Sequence, residues 1–476
     1  MKIPIFTRTA HQGMKPVLAQ VLSGDSPDSL HGTKQVSGEV AQHHLQSLAW
    51  SRAFTKTTLV ALATLVLMFS DAMATPPTVI NIEIDYMVQR NDAGIVFTHE
   101  PQQIEIDAVV QMFACRGITC NIIVDDELPY IEVLQRDPNN SANFFGYTGT
   151  NSFGQLKHLF RDNGACWHYC IFGHRYQANN YDTSSSSGLG ELGGDDFIVT
   201  LGAFTDSIGT PFDRAATLAH ELGHNLGLNH CGNMNCGLTG NTTPNYPSTM
   251  SYFCQLEGVR TRYVDMGLAP RDANYLKEID FSYGSMCNIY EADLDEFFGI
   301  GMKKLDWDCN GAIEFDSVVQ DLDGDTLGGW CISMGRLSYL NDYNDWAGIQ
   351  DNTCPKDPQE LDNLPEISCI TYEEHQQYLA EQRGVRVQPE LAVEPCNANR
   401  MLWAVPTPGT WGGGWCNNPY NGFTQAYNAA WAGDIIYLKY GVYNVASPTI
   451  LLDKRMIITA THSALIRPVG KGGEGK

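Results

Sequence analysis

Positive charge is scarce in this chain: 30 lysines and arginines stand against 54 aspartates and glutamates, a formal net charge of −24. Nucleic acid and anionic membrane surfaces would be repelled by such a chain and are excluded as expected partners. Long apolar runs are nearly absent. The only one is TLVALATLVLMFS, residues 58–70, short of the roughly 20 residues that cross a bilayer. Cysteine is missing before Cys115, the first of fourteen, so no thiol can act on the rest of the chain from an upstream segment. Disorder is not indicated either, because 43% of residues are hydrophobic and only 18% charged. At 476 residues the chain exceeds what one core organises, and several domains are expected.

The apolar run follows Arg52 and Lys56 and leads into Ala72-Met73-Ala74. A basic flank, a short apolar segment and a small-x-small site read as a secretory signal cut before Thr75, which predicts an extracellular protein. About fifty mostly polar residues precede it, which suggests a start codon downstream of Met1. Residues 1–74 are therefore set aside as a leader. An even cysteine count in an exported chain predicts disulfides. The close pairs Cys115/Cys120, Cys166/Cys170 and Cys231/Cys236 are the first expected bridges.

From Thr75 onward, period-2 and period-3.6 patterns alternate. TVINIEIDYMV and ITCNIIVDD read as strands around the helical QQIEIDAVVQMFACRG. SFGQLKHLFRD reads as a helix, then CWHYCIFGHRY and DDFIVTLGAF as strands separated by Gly/Ser-rich SSSSGLGELGG. The helix DRAATLAHELGHNLGL follows, with Asp213 as its expected N-cap. This order predicts an α+β domain over 75–301, a twisted mixed sheet backed by helices. Beyond it lie an Asp/Asn/Gly-rich segment (302–350), a charged linker with a short helix at TYEEHQQYLAEQR (351–395) and a β-rich module (396–476).

The chemistry concentrates in AHELGHNLGLNH, residues 219–230. Residues four apart share a helix face, so His220 and His224 can present imidazoles to one ion. Glu221 projects nearby without having to bind. Gly227 can leave the helix at positive φ, bringing His230 back as a third ligand. Three nitrogen ligands leave a position open, the mark of a catalytic rather than a structural zinc. Cys231 could close the site as a fourth ligand, but its pairing with Cys236 is the stronger expectation.

HELGHNLGLNH resembles the long zinc motif of the metzincin metalloproteases at every defining position. STMSY is similar to the family's methionine turn and places Met250 twenty residues after His230, as an apolar floor rather than a ligand. IEIDYM, FGQLKH, WHYCIFGHRY, SSGLGELGGDDFIVTLG, PNYPSTMSY and DFSYGSMCNIYEADLDEFFGIG resemble a subgroup of secreted bacterial zinc metallopeptidases, over about residues 78–302. Cys231 and the additional cysteines depart from that subgroup. The resemblance implies a zinc-dependent endopeptidase acting on proteins or peptides. Zinc lowers the pKa of bound water to about 7, and Glu221 is the expected general base. It further implies that Tyr252 reaches the metal or steadies the oxyanion, with a buried structural tyrosine as the alternative. Gly188–Leu192 resembles the lead-in to the strand that pairs with extended substrate. With no cysteine before Cys115 a cysteine switch upstream of the domain is excluded, and control by the C-terminal region or by calcium is left open.

Asp306, Asp308 and Asn310 alternate before Gly311, like the first half of a calcium loop. Ser317 stands where an EF-hand needs a bidentate glutamate, so the pattern is closer to repeats that add Asp321, Asp323 and Asp325. A structural calcium ion is expected there, the alternative being a solvated acidic turn. NGFTQAYNAAWAGDIIYLKYGVYNVASPTILLDKRMIITA resembles the opening of a right-handed parallel β-helix. Only one or two rungs fit before Lys476, whereas solenoids usually need three or more, so the rungs are either cut short or pack on another domain. This module is expected to touch a cell surface or polysaccharide, with a small β-sandwich as the other reading of its strands. The rival to a peptidase is an extracellular, calcium-organised binding or adhesion protein whose zinc domain is inactive or latent. Retention of Glu221 argues against inactivity.

Overall fold

The computed structural model describes residues 77–164, 166–231, 243–259, 278–297, 304–308, 310–322, 337–350, 364–381, 400–405, 419–431, 434–439, 441–446, 457–460 and 464–469, with 261, 299, 300, 391 and 393. All of these belong to one unit, Ala74–Lys476. The leader, Cys236, Asp323 and Asp325 lie outside the described residues.

Strand β1 (Val79–Asn91) is the spine of a seven-stranded mixed sheet. It turns into β2 (Gly94–Thr98), antiparallel to its far end, and pairs in parallel with β3 (Thr119–Pro129) and β4 (His168–Gly173). The sheet continues through β5 (Gly188–Glu191) and β6 (Asp196–Thr200), with β6 parallel to β4 and β5 antiparallel to β6. Both faces of β1 are covered. Ile80, Ile82 and Ile84 face helices α1 (Gln103–Ala114) and α3 (Pro211–Asn225), among Val109, Phe113, Ala219 and Leu222. Burying each isoleucine contributes about 1.5–3 kcal/mol. Met87, Tyr169 and Ile198 face α2 (Phe153–Phe160) through Phe153 and Leu156. The acidic residues of β1 are buried but hydrogen-bonded: Glu83 accepts from the amides of Asp162 and Asn163, and Asp85 from Tyr169 Oη. The fold is thus mixed α/β around a mixed sheet, with seven helices among the described residues.

After α4 (Tyr252–Gln255), β7 (Ile289–Tyr290) pairs antiparallel with β8 (Tyr339–Leu340). Helix α5 (Asp345–Gly348) then returns to the main core, where Trp346 and Ile349 pack with Ile84 and Phe113. Residues 345–349, assigned by composition to the acidic segment, therefore contribute to the core that also holds Ala219 and Leu222 of the histidine helix. Asp345 accepts from Tyr246 Oη at 2.7 Å, Ser248 Oγ at 2.6 Å and the Ser282 amide at 2.9 Å, clamping the turn that carries Met250. Burial lifts the Asp345 carboxyl to about 7 and that of nearby Asp342 to about 8. A pKa raised on folding stabilises fully below the unfolded value and loses its effect as pH climbs through the folded one. Tm should therefore fall between about pH 4 and 8, and Asp345→Asn should flatten that slope in scanning calorimetry.

The remaining elements are β9 (Glu366–Ser368), α6 (Tyr372–Glu381), β10 (Met401–Val405), β11 (Tyr420–Asn421), α7 (Phe423–Ala429), β12 (Ile435–Leu438), β13 (Gly441–Ala446), β14 (Ile457–Ala460) and β15 (Ala464–Val469). Strands β10, β12 and β14 form a parallel sheet with β11, and β13 is parallel to β15. Ile435 pairs with Ile457 and Gly441 with Ala464, a near-constant offset along the chain. This sheet does not stand alone, because Trp403, Ile435 and Tyr437 share a core cluster with Phe253, Met286 and Trp307.

Candidate metal centre

Helix α3 starts one turn before the expected position. Thr210 is the N-cap and Pro211 the first helical residue, while Asp213 sits at the third position and closes a capping box with Thr210. Proline at the first turn costs no hydrogen bond, which is why the helix opens there rather than at Asp213. A buried ion pair between Arg214 and Glu105 ties α3 to α1. At the other end Leu226 is the C-cap and Gly227 has φ +87°. The Leu228 amide donates to Gly223 O at 2.8 Å and the Gly227 amide to His224 O at 2.9 Å, the paired bonds of a Schellman ending. A Cβ on Gly227 would meet nothing within 4 Å, so glycine is required for its φ rather than for space.

That reversal delivers His230 to the face carrying His220 and His224. One ring nitrogen from each lies within 4.8 Å of the others, and all three residues are buried. His220 Nδ1 lies 2.9 Å from Thr249 O and His224 Nδ1 2.8 Å from Leu228 O. A carbonyl only accepts, so both Nδ1 atoms carry the hydrogen and both Nε2 atoms present lone pairs inward. His220 Nε2 has no hydrogen-bond partner, and His224 Nε2 faces His230 Nε2 at 3.1 Å. Burial pushes the His224 imidazole down to about 4 and that of His220 well below its usual range. Neutral imidazoles with lone pairs converging in a dry site are the donor set a divalent transition metal accepts. The residues present therefore fit the ion.

Glu221 projects from α3 toward β5, where a Cβ on Gly188 would come within 2.2 Å of its Oε1. Burial pushes its carboxyl well above the usual range. Asn225 positions this part of α3 by donating from Nδ2 to the carbonyls of Glu191 on β5 and Asp196 on β6. Met250 is fully buried, with Sδ in the space a Cβ on Gly223 would need. The Tyr252 ring lies 4.3 Å from that of His230, and its hydroxyl donates to the carbonyl of Ser368. Burial thus brings His220, His224, His230, Glu221, Met250, Gly227 and Tyr252 together.

Sequence reasoning missed Cys369, whose thiol donates to Glu221 Oε1 at 2.6 Å. It also missed Glu296, which joins Asp306 and Asp308 in a second group of candidate ligands. Glu296 accepts from the amides of Trp307 and Glu314, and burial raises its carboxyl. Asn310 binds the same loop, with Oδ1 accepting from the Ala312 amide. Asp321 is not in this group and has Glu291 as an electrostatic neighbour. A third group, Glu191, Asp195 and Asp196, is balanced by Lys157 and Arg161. Two of the expected cysteine bridges are corrected: Cys120 and Cys170 are buried free thiols on β3 and β4. Each packs in the apolar core, where a short sequence spacing gave no information about strand geometry. No protein-family model and no curated protein matches the chain.

Proposed function

We propose that this chain is a secreted zinc-dependent endopeptidase of metzincin type, in which His220, His224 and His230 hold zinc and Glu221 is the general base. The observation that carries the reading is the convergence of three buried imidazoles beside a buried carboxylate and strand β5. When bound, zinc would supply an acidified water and a polarised carbonyl. The residues of the chain do the rest. Glu221 takes a proton at its carboxylate and returns it to the departing amine. Tyr252, directed at a backbone carbonyl beside the histidines, donates to the oxygen that gains charge. Strand β5 binds extended peptide by backbone hydrogen bonds.

The mixed sheet, with β5 antiparallel to β6 and beside the histidine helix, supports the metzincin fold. The parallel register of β10, β12 and β14 supports a C-terminal module akin to the start of a parallel β-helix, suited to surface or polysaccharide contact. Calcium held by Glu296, Asp306 and Asp308 would neutralise three clustered carboxylates. Excess calcium should then raise Tm, and Asp306→Asn combined with Glu296→Gln should remove that rise in scanning calorimetry.

The test is hydrolysis of an unfolded protein by the purified full chain, with bound metal quantified on the same sample. One zinc per chain is expected, with chelator-sensitive cleavage by the full chain or by its variants at Glu366 or Cys369. A folded protein without zinc would sink the proposal, and zinc without cleavage in any variant would favour the binding-protein alternative.

A further inference from the structure

The groove that extended substrate would need is already filled by the chain itself. Strand β9 adds to the free edge of β5, antiparallel, with Leu189 opposite Ser368, Gly190 opposite Ile367 and Glu191 opposite Glu366. The pairing runs past the strand at both ends. The Leu192 amide donates to Pro365 O, the Ser187 amide to Ile370 O, the Cys369 amide to Gly188 O and the Tyr372 amide to Ser185 O. Residues 365–372 thus lie against 185–192 over their whole length.

Side chains fix the register. Glu366 pairs with Arg136 and accepts from the Phe144 amide at 2.5 Å. Ser186 Oγ donates to the Cys369 carbonyl at 2.8 Å. At the centre, the Tyr252 hydroxyl donates to the carbonyl of Ser368, and the next residue points its thiol at Glu221. Cys369 is 1% exposed, Gln255 Nε2 lies 3.2 Å from its sulfur, and the other Glu221 oxygen has no hydrogen-bond partner. A general base needs a water at hydrogen-bonding distance. Here a thiol holds that place, on a backbone laid out as a bound peptide would be.

We infer that residues 365–372 are an internal, substrate-like inhibitor that fills the cleft and seals Glu221 with the Cys369 thiol, so that the full chain is latent until this segment is displaced. The inference rests on the peptidase reading above. Its energetic basis is tethering: a segment on the same chain acts at an effective concentration in the millimolar range, which a free substrate rarely matches. The strand is short and anchored at its start by Glu366, so loosening that anchor should release it.

The experiment measures alkylation of Cys369 by iodoacetamide, resolved by peptide mass spectrometry, on the full chain both stripped of metal and loaded with zinc. Cleavage of an unfolded protein is measured in parallel for the wild type, Glu366→Ala and Cys369→Ala. In the wild type, alkylation should be about 10²-fold slower than in denaturant. In Glu366→Ala it should approach the denatured rate, and both variants should cleave about 10²-fold faster than the wild type. Cys369→Ala carries the cleavage arm if Glu366→Ala does not fold. Rapid alkylation of Cys369 in the folded wild type overturns the inference. So does a cleavage rate equal in all three proteins, a result that leaves the peptidase reading intact. Zinc-loaded protein in which Cys369 is freed and nothing is cleaved by any form removes the peptidase reading instead, and latency with it.

Discussion

Glu221→Gln in the Cys369→Ala background should lower the rate of peptide hydrolysis by about 10²–10⁴-fold, the range a positioned general base contributes. Zinc content should not change, because Glu221 is outside the group of converging ligand atoms formed by His220, His224 and His230. Glutamine is the informative replacement. The carboxylate sits in a slot against Gly188 and fits closely enough that a Cβ there would overlap it. Alanine would empty that slot and mix a packing defect into the kinetics, whereas glutamine keeps the shape and removes only the ability to accept and carry a proton. The Cys369→Ala background matters because the thiol otherwise covers the atom under test. Initial rates on an unfolded protein, with metal analysis of the same samples, decide the question. Retention of the full rate by Glu221→Gln would take the base role away from this residue.

Much of the central sheet is legible in the sequence. The alternation of VINIEIDY and the apolar face of QIEIDAVVQMF need only the strand and helix periods to be read. The histidines are equally plain, since HELGH encodes a spacing of one helical turn and Gly227 its reversal. What is hidden has a common cause. Strand β9 is three residues long, too short for any period to appear, and exists because β5 offers unpaired backbone. Cys369 carries no local signal. Its partner Glu221 is 148 residues away, and only the crossing of β9 over β5 joins them. Glu296 likewise lies outside the Asp/Asn pattern of 306–310, and its approach to Asp306 cannot be read from spacing. The cysteine pairs show the opposite error. Spacing suggested bridges, but Cys120 and Cys170 sit on strands whose inward faces are apolar, and they pack as small hydrophobes.

His224→Ala should produce the largest combined effect, because this imidazole is tied at both nitrogens. Nδ1 donates to Leu228 O within the turn that reverses the chain, and Nε2 faces His230 Nε2 at 3.1 Å. Removing the ring leaves the Leu228 carbonyl without that donor, at a cost of about 1–3 kcal/mol for a buried acceptor. It also opens a cavity beside the rings of His220 and His230, so the metal-free variant should melt below the metal-free wild type. Loss of the ion adds a second, separable penalty. A ligand present at 1,000 times its Kd stabilises the folded state by about 4 kcal/mol, and two remaining imidazoles should not retain it through purification. The expected record is zinc falling from one per chain to none, no hydrolysis, and a gap in Tm between variant and wild type that is larger with zinc than after chelation. Calorimetry with and without chelator separates the two contributions. Equal gaps in both conditions would mean that His224 serves packing alone. That outcome would dissolve the reading of the three histidines as a metal centre, however well their lone pairs converge.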